Sequence, residues 1–245
     1  MKPRAQRGVT LIELLIAVTL VSLLSAAGLI AIRVGLNAME KANSAAIRNR
    51  RAIGAQRALE QQLAGFMPVR ARCVPQNPGA PGGFVRFFQG EAGLMRFVSS
   101  YSLEEAGRGA PRILEFLVIP GDQGQGVRLV VNEYPYTGPE TSTPFCLGLG
   151  PDPETGLFLP RWIPAQPGAQ SFVLADRLAS ARISYQEPIQ FPPFERWLPR
   201  WSRTEWPTAV RIDLTPLQPD SSRLLPLTIA MPLRAQRDPE AVYVE

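Results

Sequence analysis

One carboxylate stands out among the residues of this sequence that could do chemistry. Glu13 lies in the stretch RGVTLIELLIAVTLVSLL and is followed by nineteen uncharged residues, Leu14 to Ile32. A helix of that length rises roughly 30 Å and can span the hydrocarbon core of a bilayer. A charge inside such a segment costs about 2.5–3.5 kcal/mol near its centre and less near an end. Glu13 is therefore predicted to be a functional residue whose partner has still to be identified.

The only two cysteines are Cys73 and Cys146, and their separation does not make a zinc-binding pattern. Outside the cytoplasm they could form a disulfide. The alternative is two buried thiols that pack as small apolar side chains. There is no histidine, which excludes histidine-dependent triads and removes the commonest metal ligand.

Acidic pairs are the remaining candidates for catalysis or metal binding. Glu104–Glu105 and Asp152–Glu154 lie in predicted loops, where adjacent carboxylates are usually solvated. The turn PDPETG, residues 151–156, could offer oxygen ligands to calcium, but it has fewer than a recognisable calcium loop. No nucleophile stands beside a base, and the sequence has no phosphate-cradling loop. We expect no catalytic activity, no cofactor and no metal site.

Three tryptophans, Trp197, Trp201 and Trp206, occur within ten residues and are interspersed with arginines. Because tryptophan and arginine dominate binding hot spots, this cluster is a candidate interface. The alternative, which we favour, is packing in the core and at strand ends with cation–π partners.

Prolines separate the chain into two parts. Pro3 is the only one before Pro68, and 24 of the 25 fall within residues 68–245. Since proline breaks helix interiors, we predict one long helix from residue 9 to about 66, ended by Gly65 and Pro68. Its second half should lie against the C-terminal domain through a stripe of small and apolar residues: Ala38, Ala42, Ala45, Ala52, Leu59, Leu63 and Phe66.

Residues 68–245 are predicted to form β-structure with long turns. Residues 112–119 and 127–134 should form a hairpin, and residues 84–90 and 93–101 a shorter pair. Three more segments are predicted strands, the last one at a sheet edge because of its prolines: 181–186, 209–217 and 224–233. The predicted fold class is α+β, a long N-terminal helix packed on an antiparallel β-sheet.

The N-terminus resembles a known processing signal. A basic leader, then GVTLIE (Gly8 to Glu13) and an apolar helix are similar to the prepilin signal of type IV pilins and type II secretion pseudopilins. A secretory signal peptide fits less well, since the apolar run is longer and lacks a small-residue cleavage site. A plain signal-anchor helix, for which Glu13 would be accidental, is the other alternative.

The resemblance implies cleavage after Gly8 by a prepilin peptidase and N-methylation of the new terminus, Val9. Glu13 becomes the fifth residue of the mature chain, which in that family is thought to pair with the terminal amine of a neighbouring subunit during assembly. Two charges that are each costly in lipid become tolerable as a pair, which accounts for a carboxylate at this position. Val9 departs from the usual phenylalanine.

The C-terminal half resembles the J-type minor pseudopilin of type II secretion. That subunit type has a strand, a Trp-rich linker, a proline and an alternating strand. Here these read RISYQ, then RWLPRWSRTEWPTAVRIDL. The resemblance implies a pilin-like fold with four parts: a leader (1–8), a transmembrane and assembly helix (9–33), an amphipathic helix (34–67) and a periplasmic β-rich domain (68–245).

These resemblances imply a structural subunit at the tip of the type II secretion pseudopilus, anchored in the inner membrane by a single span. The expected partners are the I- and K-type minor pseudopilins, the major pseudopilin, the prepilin peptidase and the assembly platform. A minor type IV pilin is the nearest alternative, with competence and DNA uptake as a variant. Without Lys2, Arg4 and Arg7 the chain has 23 basic and 21 acidic residues, so we expect no general nucleic-acid binding.

Overall fold

The structure, a computed structural model, describes residues 10–75, 81–189, 194–217 and 226–233. The chain divides into two compact units, Met1–Asn49 and Arg50–Glu245. One helix, α1 (Leu11–Ala64), begins in the first unit and ends in the second. The absence of proline and the many alanine and leucine residues explain its length of 54 residues.

In the first unit, α1 is apolar and exposed. The segment Leu11–Asn43 is long and apolar enough to cross a membrane, judged by length and composition. Its large apolar side chains, Leu15 and Leu24 among them, are more than half exposed. A hydrophobic helix with this exposure needs a lipid or protein environment around it.

In its described residues, the second unit contains the end of α1, thirteen strands, one short α-helix, α2 (Pro139–Ser142), and two 3₁₀ turns. The strands are β1 (Phe66–Met67), β2 (Arg70–Cys73), β3 (Gly83–Arg86), β4 (Gln89–Glu91), β5 (Leu94–Ser102), β6 (Gly107–Pro120), β7 (Val127–Pro135), β8 (Cys146–Pro151), β9 (Phe158–Trp162), β10 (Phe172–Pro188), β11 (Glu195–Leu198), β12 (Ala209–Pro216) and β13 (Leu227–Pro232).

Nine of these strands form one antiparallel sheet in the order β1-β5-β6-β7-β10-β12-β13, with β4 paired to β5 and β11 paired to β10. Two further pairs, β2–β3 and β8–β9, form separate two-stranded ribbons. The α+β class with a long N-terminal helix and an antiparallel sheet domain is therefore confirmed.

Both faces of the sheet are covered. On one face, Leu59 and Leu63 from α1 join a core that includes Phe97 and Phe116, whose rings stack with centroids 5.7 Å apart. Adjacent strand residues point to opposite faces, so Val98 belongs instead to a second cluster; its other buried members are Val69, Ala71, Phe87 and Ile113. Residues from β2 and the segment before β4 thus cover the face away from α1.

Several sequence predictions are confirmed. The helix ends at Ala64, immediately before Gly65. Residues 112–119 and 127–134 pair in the β6–β7 hairpin. Residues 181–186 lie in β10 and residues 209–216 in β12, and these two strands pair. Val210, Ile212 and Leu214 are buried as the alternation predicts. Strand β13 forms one end of the sheet, as its prolines predicted; Leu224 and Leu225 lie outside the described residues.

Two predictions need correction. Residues 84–90 were predicted to form one strand paired with residues 93–101, but they do not. Residues 84–86 pair with β2, and only residues 89–91 pair with β5. The physical reason is that Phe87 and Phe88 are both buried, in different clusters, so the chain crosses between layers there.

The second correction concerns the small-residue stripe on α1. Ala38 and Ala42 are exposed, and Ala55 is the first buried residue among the described side chains of α1. Further along the helix, Leu59 and Leu63 are buried as predicted. Ala45 and Ala52 were also predicted to belong to this stripe, but their side chains are not among those that the structure describes.

Candidate functional site

The start of α1 holds the residue that the sequence singled out. The Glu13 backbone N–H donates to the backbone carbonyl of Thr10 at 3.1 Å and lies 3.4 Å from the Thr10 hydroxyl oxygen. Thr10 therefore caps the helix, and Glu13 occupies the third helical position, where acidic side chains favour the positive end of the helix dipole. The T-x-x-E spacing is that of a capping box, so the sequence itself carries a signal for the start of the helix.

The other polar side chains of this apolar segment are satisfied within the helix. The Thr19 hydroxyl donates to the Ile16 carbonyl at 2.8 Å, and the Ser22 hydroxyl to the Thr19 carbonyl at 2.9 Å. By contrast, the Glu13 carboxylate contacts no donor or cation among the residues that the structure describes. It is exposed and can accept a partner from outside the chain. Gly8 and Val9, the predicted cleavage and methylation residues, lie outside the described residues.

The structure joins Cys73 and Cys146 in a disulfide, with their Cα atoms 5.2 Å apart. Cys73 is the last residue of β2, and Cys146 is the first residue of β8. Both are buried. The bond therefore links the two ribbons that lie outside the main sheet.

The three tryptophans have separate environments. Trp201 is 8% exposed, packs in the main core and donates its indole N–H to the Glu205 carbonyl at 2.7 Å. Trp206 packs at the edge of the core, with the Arg86 guanidinium carbon 4.9 Å from its ring centroid. Trp197, on β11, has the Arg211 guanidinium carbon 5.1 Å from its ring centroid. These contacts agree with the packing alternative.

The arginines next to the tryptophans in sequence contact carboxylates. Arg203 donates to Glu187 at 2.7 Å, and Arg196 lies 3.7 Å from the same carboxylate. Arg200 pairs with Asp152 and is 3.6 Å from Glu154. The cation–π partners of Trp206 and Trp197 come instead from β3 and β12.

The Asp152 carboxylate, in the turn considered for calcium, already accepts hydrogen bonds from the protein. Burial alone would raise the pKa of Asp152. Hydrogen bonds from the backbone N–H and hydroxyl of Thr155, from Arg200 and from the Glu154 N–H outweigh burial and lower that pKa. No group of acidic or cysteine side chains suited to a metal ion occurs in the described ranges.

A buried polar network on the face away from α1 was not predicted. Arg96, Glu115 and Asn132 lie on neighbouring strands and are almost wholly buried. The Arg96 Nε donates to Glu115 at 2.7 Å, and the Asn132 amide donates to the same carboxylate at 2.9 Å. Arg96 and Asn132 also donate to the carbonyls of Ile163 and Gln166, so the network holds that segment against the sheet.

A match to a known family model occurs at the N-terminus of the chain. Residues 3–29 match the family model of the prokaryotic N-terminal methylation motif. The chain carries a prepilin signal. The match includes Gly8, Val9 and Glu13 and ends within the apolar part of α1. No curated protein matches this chain.

The motif supports a type IV pilin-like protein or pseudopilin. It overlaps the apolar segment Leu11–Asn43, which continues beyond the end of the match. Together, the prepilin signal and this segment indicate anchoring in a membrane by a single span.

Proposed function

We propose that this chain is a minor pseudopilin, a structural subunit at the tip of the type II secretion pseudopilus. The observation that carries the proposal is the methylation motif joined directly to an exposed apolar helix whose first turn contains Glu13. In an assembly of such helices, an exposed carboxylate at a helix start is suited to receive the N-terminal amine of a neighbouring subunit. The pair forms only when the subunits are in register, so it supports both assembly and alignment.

The order of elements late in the chain supports the J-type assignment. The RISYQ segment lies near the end of β10. The tryptophan-containing segment with β11 and then Pro207 follow, and β12 pairs antiparallel with β10. The proposed partners are the I- and K-type minor pseudopilins and the major pseudopilin. The prepilin peptidase acts on the precursor, and the inner-membrane platform then adds the subunit. The β domain lies in the periplasm in this proposal.

The T-x-x-E spacing offers the Glu13 side chain a competing role, acceptance of a hydrogen bond from the Thr10 N–H as in a capping box, although the described residues show no such bond. The experiment must separate this role from pairing with a neighbouring subunit. Glutamine also occupies the third position of capping boxes, so Glu13→Gln keeps helix capping and removes the charge. Glu13→Ala removes both. Glu40→Gln, at another exposed carboxylate of α1, is the matched control.

We expect full-length Glu13→Gln and Glu13→Ala to insert in the membrane as the parent chain does. Both should lose most initiation of pseudopilus filaments, whereas Glu40→Gln should not. Membrane fractionation and sheared-filament yield measure the two steps. Normal filament yield from Glu13→Gln with loss only in Glu13→Ala would assign Glu13 to capping and contradict the proposal.

The alternative is a minor type IV pilin that initiates a surface pilus, which the methylation motif supports equally. Deleting the gene in its host distinguishes them. Loss of secreted enzymes from the medium with surface pili intact supports the pseudopilin. Loss of pili with normal secretion supports the pilin, and salt-sensitive DNA binding by the chain would add a role in DNA uptake.

A further inference from the structure

A cleft of about 500 Å³ opens on the surface of the second unit. One wall is β3, another is the β8–β9 ribbon, and Trp201 with the residues after it forms the third. The cleft belongs to neither of the buried clusters, although Trp201 and Phe88 connect it to the main core.

The cleft has an exposed aromatic rim. Phe84 and Phe158 both line it, and each is 60% exposed, while Trp201 beneath them is buried. Phenylalanine is usually buried, and two at the same concave site indicate a surface that is covered by another molecule. A partner with apolar side chains would remove both rings from water.

The rim is also basic. Four arginines line the cleft against two glutamates: Arg86, Arg161, Arg200 and Arg203 against Glu91 and Glu205. Arg200 and Arg203 already pair with Asp152 and Glu187. Arg161 is exposed and lies across Gly150, and no carboxylate of the described ranges pairs with it. Its planar guanidinium can therefore bind an incoming carboxylate through two hydrogen bonds.

The backbone around the cleft suits an extended occupant. Strands β3 and β9 both border it, and in the described part of the chain each pairs with a single neighbour. A strand paired on one side leaves N–H and C=O groups that an extended peptide can use. A small ligand would not need such edges.

We propose that this cleft binds an extended segment of a partner protein in which a carboxylate stands beside aromatic or aliphatic side chains. The apolar side chains pack on Phe84 and Phe158, and the carboxylate pairs with Arg161. The inference rests on the proposed function, in which this domain meets other proteins. It adds the place of contact and the chemistry of the contacting segment.

The probe is a fluorescein-labelled peptide, Gly-Phe-Glu-Val-Asp-Phe-Gly, titrated with the full chain in detergent micelles and followed by fluorescence anisotropy. A second peptide has lysine at both acidic positions. The test variants are Arg161→Glu and Phe158→Ala. Their matched controls, exposed and outside the cleft, are Arg108→Glu and Phe194→Ala.

We expect the acidic peptide to bind the parent chain saturably. The lysine peptide should bind the parent about tenfold or more weakly, and Arg161→Glu and Phe158→Ala should weaken binding of the acidic peptide by a similar factor. The control variants should bind as the parent does. No saturable binding, or equal binding by test and control variants, would overturn the proposal. Near-ultraviolet circular dichroism of each variant checks that the fold is kept.

Two other occupants would also overturn it. Binding that appears only after truncation beyond Leu233 would assign the cleft to residues 234–245 of the same chain. Concentration-dependent self-association that Arg161→Glu abolishes would assign it to a second copy. The filament assay with Glu13→Gln is independent of the cleft. Failure of peptide binding together with the expected loss of filaments in Glu13→Gln therefore overturns the cleft proposal and leaves the proposed function intact.

Discussion

Arg96 and Glu115 face each other on β5 and β6 and form an ion pair whose two side chains are 1% and 3% exposed. Burial lowers the pKa of the Arg96 guanidinium, and the Glu115 charge partly offsets that effect. The remaining Arg96 nitrogens donate to Gln89 at 2.6 Å and to the Ile163 carbonyl at 3.1 Å. A buried ion pair with its hydrogen-bonding groups satisfied fixes the position of the segments that it joins.

Removing either member alone should leave a buried, uncompensated charge. We expect Arg96→Met and Glu115→Leu each to lower the free energy of unfolding by about 3–5 kcal/mol, and the double variant to lose less than their sum. Chemical denaturation followed by tryptophan fluorescence measures this. The exposed Arg108→Met is the control and should change little. Additive losses would mean that the pair is not energetically coupled.

The disulfide between Cys73 and Cys146 should stabilise the second unit by restricting the unfolded chain. It closes a loop with a sequence separation of 73. Loop entropy then predicts that Cys73→Ser combined with Cys146→Ser lowers the free energy of unfolding by about 4 kcal/mol. Reducing the parent chain with dithiothreitol should lower its stability similarly and leave the double variant unchanged. An equal response of both chains to dithiothreitol would exclude the disulfide as the cause.

Asp152 should make stability depend on pH at the acidic end. Its folded pKa is lowered, so its contribution is present above the unfolded value of about 4 and is lost as pH falls through the folded pKa. Asp152→Asn should therefore have a lower melting temperature than the parent at pH 7, with the gap closing below pH about 4. Melting curves across pH measure it, with the exposed Asp176→Asn as control. A gap that stays constant with pH would show that the lost contribution is not that of the charge.

Processing at the N-terminus should depend on Gly8. Substituting Gly8 with a bulky residue should leave residues 1–8 attached, because a larger side chain at the cleavage position obstructs the peptidase. Mass spectrometry of membrane-extracted chain then shows the precursor mass in place of a chain that begins at N-methylated Val9. A Lys2→Ala variant, changed within the leader but away from the cleavage point, should still be processed. Processing of the Gly8 variant would place the cleavage elsewhere.

The local parts of the fold could be predicted from the sequence. The proline-free stretch predicts α1, and the alternation in residues 209–217 predicts β12 with its buried face. The β8–β9 ribbon was not assigned, because glycine and proline within residues 146–162 hide its alternation. Its position depends on the disulfide to β2 and on contacts far apart in sequence.

The functional residues also divide into those that the sequence predicts and those that only the folded structure brings together. The prepilin segment is a linear motif, so its residues could be named without a structure. The Arg96–Glu115 pair and the cleft beside Arg161 each combine residues from several strands, and their geometry depends on strand register. One signal was present: Arg96 and Glu115 are single, opposite charges, each within an apolar strand sequence.

Strand β13 closes one end of the main sheet between Pro226 and Pro232. Proline has no N–H to offer, so this edge is a poor template for adding another strand. At the opposite end, β1 has only two residues. Both ends of the main sheet are thus poor templates for joining copies of this domain edge to edge. In the proposed function, filament growth rests on α1 instead, which keeps ordered assembly separate from amyloid-like aggregation.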